Sequence, residues 1–203
     1  MDVLFIDHYD SFSFNLIDWL SSGVKSLRIK RVPFDDVEAL SRALKTPMPI
    51  VLSPGPKCPN STLTSRSIAA DFVGKVPVMG ICLGHQILGV TLGARVVKSK
   101  GAFHGSQRKI QIFPHSEIFS EQYKNVATYN SLAIDDVDQR LSPYITMRNE
   151  WNEVEGFEIY DDGEAVIGVQ FHPESFMSLG MEPLLQKWEL AVESYYDSLK
   201  LQQ

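Results

Sequence analysis

Apolar positions along the chain fall into two textures. In the first 92 residues, short continuous apolar runs alternate with segments whose apolar residues recur every three or four positions. Val3 to Ile6, Pro49 to Leu52 and Val76 to Ile81 are such runs and predict buried strands, and Leu27 to Val32 predicts a strand by alternation. Ser11 to Leu20 carries Phe12, Leu16, Ile17 and Leu20 at helical spacing. Asp35 to Leu44 predicts a second helix, capped by Asp35, and Thr64 to Val73 and Leu83 to Leu92 predict two more. Strands alternating with helices predict a parallel, doubly wound sheet.

After Gly93 the texture changes. Arg95 to Lys98, Lys109 to Phe113, Val126 to Tyr129, Ile145 to Arg148, Phe157 to Tyr160 and Val166 to Phe171 each predict a short strand. Turn signals such as Asp162-Gly163 join them. Glu182 to Leu201, with Leu184, Leu185, Trp188, Leu190, Ala191 and Tyr195, predicts a helix on one face of the sheet. No repeat or low-complexity segment interrupts the pattern. The expectation is one α/β domain over residues 1–203.

Composition narrows the class. Of 203 residues, 44% are apolar and 22% charged, the balance of an ordinary globular domain. A formal charge of -6 argues against general nucleic-acid binding through phosphates. No 18-residue apolar stretch is present, so no membrane span is expected. The N-terminal apolar run is too short for a signal peptide and lacks a basic flank. Two cysteines, Cys58 and Cys82, make no disulfide framework. A reducing cytoplasm is therefore the expected location. No metal-ligand cluster is visible, so no metal is expected.

The chemistry begins at Gly80-Ile81-Cys82-Leu83-Gly84, a G-x-C-x-G pattern between a predicted strand and a predicted helix. This is a nucleophile elbow with cysteine in place of serine. Flanking glycines let the chain turn sharply, and the start of the following helix favours a thiolate. The plainer alternative is a small buried hydrophobe. The second half-site is Gly168-Val169-Gln170-Phe171-His172-Pro173-Glu174-Ser175. In extended backbone His172 and Glu174 point the same way, so the carboxylate can hold the imidazole while Pro173 stiffens the spacing. The alternative is a surface His and Glu in a loop. Two half-sites, each at a strand end, favour a Cys82-His172-Glu174 triad.

These motifs, with "DHYDSFSFNL" (7–16), "LSPGPKCP" (52–59), "HG" (104–105) and "YNSL" (129–132), resemble the class I, triad-type glutamine amidotransferases. Within that family the first block resembles the glutaminase component of the chorismate-using anthranilate and aminodeoxychorismate synthases. The resemblance implies a flavodoxin-like fold with a mixed, largely parallel sheet flanked by helices. It implies that Cys82 attacks the side-chain amide of L-glutamine, that His172 is base then acid, and that Glu174 orients it. Gly55 and Leu83 would supply oxyanion N–H groups, with Pro56 in the same loop. Gln86 would line the glutamine pocket, and Ser131 and Leu132 would hold the substrate through backbone groups.

Two positions depart from the family pattern: Lys57 stands where glycine is usual, and Asn130 where histidine is usual. Lys57 is less tolerant of positive φ. Cys58, on the same loop, reads as a small filler with no base of its own. Nothing in the chain can use ammonia, so a chorismate-binding synthase subunit is expected in trans, itself with magnesium, while this chain needs no cofactor. The segment of His8, Tyr9, Phe12 and Phe14 and the loop at His104-Gly105 are the surfaces expected to face that partner, with core packing the alternative for Phe12 or Phe14. Rival readings are a cysteine α/β-hydrolase acting on esters or lactones, a non-catalytic scaffold, and another branch of class I amidotransferases. The hydrolase fold runs nucleophile, acid, histidine, whereas here the order is Cys82, His172, Glu174.

Overall fold

The two textures of the sequence become two halves of one sheet. The structure, a computed structural model, describes residues 1–101, 105–135, 140–161 and 164–201. The first half holds β1 (Asp2–Asp7), α1 (Ser13–Ser21), β2 (Arg28–Pro33), α2 (Val37–Ala43), β3 (Ile50–Leu52), α3 (Leu63–Phe72), β4 (Val78–Ile81) and α4 (Leu83–Thr91). The second holds β5 (Val96–Lys98), β6 (Ser106–Ile112), β7 (Tyr123–Thr128), β8 (Leu132–Ile134), β9 (Ile145–Asn149), β10 (Val154–Asp161), β11 (Glu164–Val169) and α5 (Glu182–Leu201).

Among the described residues the main strand order is β2-β1-β3-β4-β11-β10-β9-β6-β7, with β8 bridging β10 and β5. The first five of these strands run parallel. From β11 onward the pairings are antiparallel. The last strand of the parallel half, β11, is thus the first strand of the antiparallel extension. Asp161 and Glu164 pair across the hairpin; the turn expected at Asp162-Gly163 lies outside the described residues.

The parallel strands read as unbroken apolar runs because both of their faces are covered. Val3 and Phe5 of β1 pack with Leu16 and Leu20 of α1 and with Leu184 and Trp188 of α5. Leu4 and Ile6, pointing the other way, pack with Leu40 of α2, Ile68 of α3 and Ile87 of α4. The extension is different: β6 alternates buried and exposed positions along its length. Its strands therefore begin with polar residues that the apolar pattern leaves out, such as Ser106 of β6 and Tyr123-Lys124 of β7. Strand β8, only three residues long, is too short to stand out from its loop in the sequence.

Two expectations are corrected in detail. The α2 cap is Asp36, whose carboxylate accepts the Ala39 N–H at 2.9 Å, while Asp35 accepts the Tyr9 hydroxyl at 2.7 Å. In α5, Leu190 is 57% exposed while Trp188 is fully buried. Val192, not singled out in the sequence, is buried in its place. Replacing Trp188 with Ala should cost about 4 kcal/mol, whereas Leu190→Ala should stay within about 0.5 kcal/mol. Urea unfolding midpoints of the two variants test this assignment of the helix face.

Candidate active site

Strand β4 ends at Ile81 and α4 begins at Leu83, so Cys82 alone makes the turn. It does so at φ 53 and ψ -103, a region that side-chain-bearing residues rarely enter. The conformation is held from both sides. The Cys82 N–H donates to the Val169 carbonyl at 2.9 Å, and its carbonyl accepts the Gln86 N–H at 3.1 Å. The glycines allow the approach. A Cβ on Gly80 would lie 2.4 Å from the Gly84 carbonyl oxygen, and one on Gly84 only 2.1 Å from that of Leu52. Strand end, helix start and β3 therefore press together with no room for side chains. Such strain costs on the order of 1–3 kcal/mol and persists only where packing enforces it.

The base reaches this turn from the chain just beyond β11. The His172 N–H donates to the Ala127 carbonyl at 3.1 Å. Its Nδ1 lies 2.6 Å from Glu174 Oε1, and both side chains are buried. The rings of Tyr129 and Phe12 meet the imidazole edge-on, with centroids at 4.9 and 5.9 Å. Burial is the largest influence on this ring and disfavours its charge. The charge and hydrogen bond of the Cys82 sulfur, joined by those of Glu174, outweigh it and hold the pKa well above the ordinary value. The structure thus brings all three triad candidates together, the imidazole between the Cys82 sulfur and the Glu174 carboxylate.

Cys82, 8% exposed, opens on a cavity of about 230 Å³. Gly55, Pro56, Leu83, Gln86, Ser131 and Leu132 all line it, so every pocket residue expected from the sequence is assembled there. Lys57, Tyr129 and Asn130 complete the wall. The carbonyl of Leu132 is already engaged, accepting Gln86 Nε2 and Asn130 Nδ2, each at 2.9 Å. The Ser131 carbonyl accepts the Ser99 N–H at 2.9 Å. Asn130 therefore places a donor on the Leu132 carbonyl. Lys57 does not take positive φ. Its exposed ammonium stands 5.8 Å from the Phe34 ring. Cys58 is half-buried with its sulfur 3.6 Å from Ser61 Oγ, a hydrogen bond that draws its thiol pKa down.

The aromatic segment after β1 divides. His8 is wholly buried, which corrects its expected place on a partner surface. Its Nε2 lies 2.8 Å from Ser65 Oγ and its Nδ1 3.1 Å from the Ser53 carbonyl, and a Cβ on Gly55 would strike it at 2.6 Å. The neutral ring is the floor of the Gly55 loop, and burial lowers its pKa to about 4. Phe12 is half-buried and packs against His172 and Tyr129. Tyr9 and Phe14 are 50% and 64% exposed. Asp7 turns Tyr9 outward, accepting its N–H at 3.0 Å and the Ser13 hydroxyl at 2.6 Å. Tyr9 takes φ 63 as a result. His104 lies outside the described residues.

Tyr129 and Gln170 escaped the sequence reading as individual residues. Tyr129 roofs the imidazole, its hydroxyl 3.2 Å from Ser175 Oγ. The available signal for Gln170 was a lone amide inside an apolar strand run. Among the described residues, no group of three or more His, Cys, Asp or Glu could hold a metal ion.

Two titrations follow. Replacing Cys82 with Ser removes the sulfur that helps raise the His172 pKa, so the ring should titrate at lower pH than in the unmodified protein; nitrogen NMR of the ring against pH measures this, and unchanged titration would refute the pairing. For His8, the unfolded chain binds a proton near pH 6.5 that the folded protein refuses until about 4. Stability should therefore be full above pH 6.5 and fall by about 3 kcal/mol as pH drops toward 4. A His8→Gln variant should flatten that slope in denaturant titrations.

Residues 4–190 match the family described as glutamine amidotransferase class-I. The chain is 34% identical over 179 residues to the bifunctional protein TrpGD of Thermotoga maritima, covering 87% of this chain and 30% of that protein's length. It is 35% identical over 189 residues to the aminodeoxychorismate/anthranilate synthase component 2 of Bacillus subtilis, covering 90% of this chain and 93% of the relative. A crystal structure of a Thermoplasma acidophilum protein, described as part of a GMP synthase, superposes with a TM-score of 0.81 over 98% of both chains. At 21% identity that likeness bears on the fold alone. With its residues 4–190 matched, and a relative of about its own length at 35% identity, the chain belongs to the class-I glutamine amidotransferase family.

Proposed function

We propose that this chain is the glutaminase subunit of a chorismate-using synthase, releasing ammonia from L-glutamine for a partner subunit. The observation that carries the reading is Cys82, strained at the elbow and facing an imidazole that a buried carboxylate holds at 2.6 Å. The Cys82 sulfur attacks the carboxamide carbon of glutamine. His172 gives its proton to the nitrogen of the tetrahedral intermediate, which collapses to a thioester on Cys82 as ammonia leaves. Water, deprotonated by His172, then cleaves the thioester to glutamate. The N–H groups of Leu83 and Gly55 are assigned to the oxyanion. This reading gives the chain no metal and places it in the cytoplasm, with magnesium reserved for the synthase.

The partner follows from the chemistry. Ammonia released into water would be wasted, and relatives along most of the chain's length carry the names anthranilate synthase component 2 and aminodeoxychorismate synthase component 2. We assign the exposed Tyr9 and Phe14 to the surface that meets the synthase, whose product from chorismate is anthranilate, aminodeoxychorismate or both. The ester- or lactone-hydrolase alternative is disfavoured by chain order and by family membership.

Glutamate release by the purified chain, with and without the synthase, tests the proposal. Activity should be weak alone and rise when the synthase is added. Cys82→Ala should abolish it. Glu174→Gln should lower kcat by roughly 10²- to 10⁴-fold with the fold intact, because the ring loses its tautomer and its counter-charge. Ammonia release surviving in the Cys82→Ala variant would overturn the mechanism.

A further inference from the structure

Gln170 sits between the end of β11 and His172, wholly buried. The surroundings of a buried amide decide which way round it lies. Here the deciding atom is the Leu132 carbonyl oxygen, which can only accept. Gln86 lies with Nε2 2.9 Å from that oxygen, so its nitrogen end faces Leu132. The same nitrogen lies 3.0 Å from Gln170 Oε1. Both N–H groups of Gln86 are therefore committed within the protein, one to the pocket wall and one to Gln170.

The other end of Gln170 is buried among polar groups of the sheet. Its Nε2 is buried and has no protein partner. Across the antiparallel pairing the Gln170 N–H donates to the Glu155 carbonyl at 2.9 Å, and residues opposed in this way share a sheet face. Glu155 Oε2 is likewise buried and without a protein partner. The unmatched donor of Gln170 and the unmatched acceptor of Glu155 thus belong to facing residues. Glu155 is itself anchored by Arg108 Nη1 at 2.9 Å and Asn149 Nδ2 at 2.8 Å. The amide's orientation is set at its other end, where its oxygen faces the Gln86 nitrogen that the Leu132 carbonyl fixes.

We infer that Gln170 is a positioning residue for substrate binding. Its Oε1 takes the second N–H of Gln86, so Gln86 clamps the Leu132 carbonyl and turns only its own carbonyl oxygen to the pocket. Bound glutamine meets an acceptor there, suited to an ammonium or amide N–H and hostile to a carboxylate. This rests on the glutaminase reading of the site. Without Gln170 the Gln86 amide can rotate, the Leu132 wall loses one of its two clamps, and substrate binding suffers more than bond cleavage.

A double-mutant cycle on glutaminase kinetics tests the link. Gln170→Met should raise KM for glutamine about tenfold, with kcat within about threefold. Gln86→Met should do at least as much, and the double variant no more than Gln86→Met alone. Gln170→Glu, which keeps an acceptor toward Gln86, should show a KM nearer the unmodified protein than Gln170→Met does. Multiplying effects in the double variant, or a fall in kcat with KM unchanged, would overturn the inference. Neutron diffraction from the unmodified, deuterium-exchanged protein decides the geometry even if a variant fails to fold. Two deuterons on Gln86 should point at the Leu132 and Gln170 oxygens, and an oxygen in that place refutes the assignment. An unmodified protein inactive on glutamine would instead count against the functional reading, while the neutron result still judges the amide chain.

Discussion

The site depends on one contact: the start of α4 pressed against the end of β3, with Gly84 under the Leu52 carbonyl. Because no side chain fits there, the helix begins immediately after the strand, and the residue between them must turn left-handed. That residue is Cys82. Its strain is sustained by backbone hydrogen bonds to Val169 and Gln86 and by a helix whose first seven residues are all buried. The thiol is therefore placed by the core of the protein rather than by a surface loop.

The same sheet solves the problem of distance. Cys82 and His172 lie far apart in sequence, but β4 and β11 are parallel neighbours, with Gly80 opposite Gly168 and Ile81 opposite Val169. Adjacent strands stand about 4.8 Å apart. Extending both strands past their ends delivers nucleophile and base to the same edge, where open α/β sheets gather their ligands. Glu174 then needs only the short reach that its i+2 position allows.

What was legible in the sequence is what local spacing encodes. The glycines around Cys82, the His172-Pro173-Glu174 spacing and the alternation of apolar runs with helical segments each carry their meaning within a few residues. The motifs that carried the family resemblance also named pocket positions, from Gly55 to Leu132, that the fold gathers around one cavity. What local spacing does not encode is which partners meet in space. His8 sits in an aromatic, surface-like segment, yet Ser53 and Ser65 receive it from 45 and 57 residues away. Leu190 is apolar, yet two residues past Trp188 it lies on the exposed side of α5. Strand β8 exists because β5 and β10 flank it, and three residues cannot announce that alone.

One side of the pocket wall comes from a different half of the sheet than the bond-breaking groups. Cys82 and His172 ride on the covered parallel strands, whereas Tyr129 to Leu132 join two strands of the antiparallel extension. Selection can therefore remodel that side of the wall while leaving the reactive centre alone. Asn130, on that side of the wall, supplies a donor to the Leu132 carbonyl. In a scaffold divided this way, new preferences can evolve without each one first endangering the chemistry it serves.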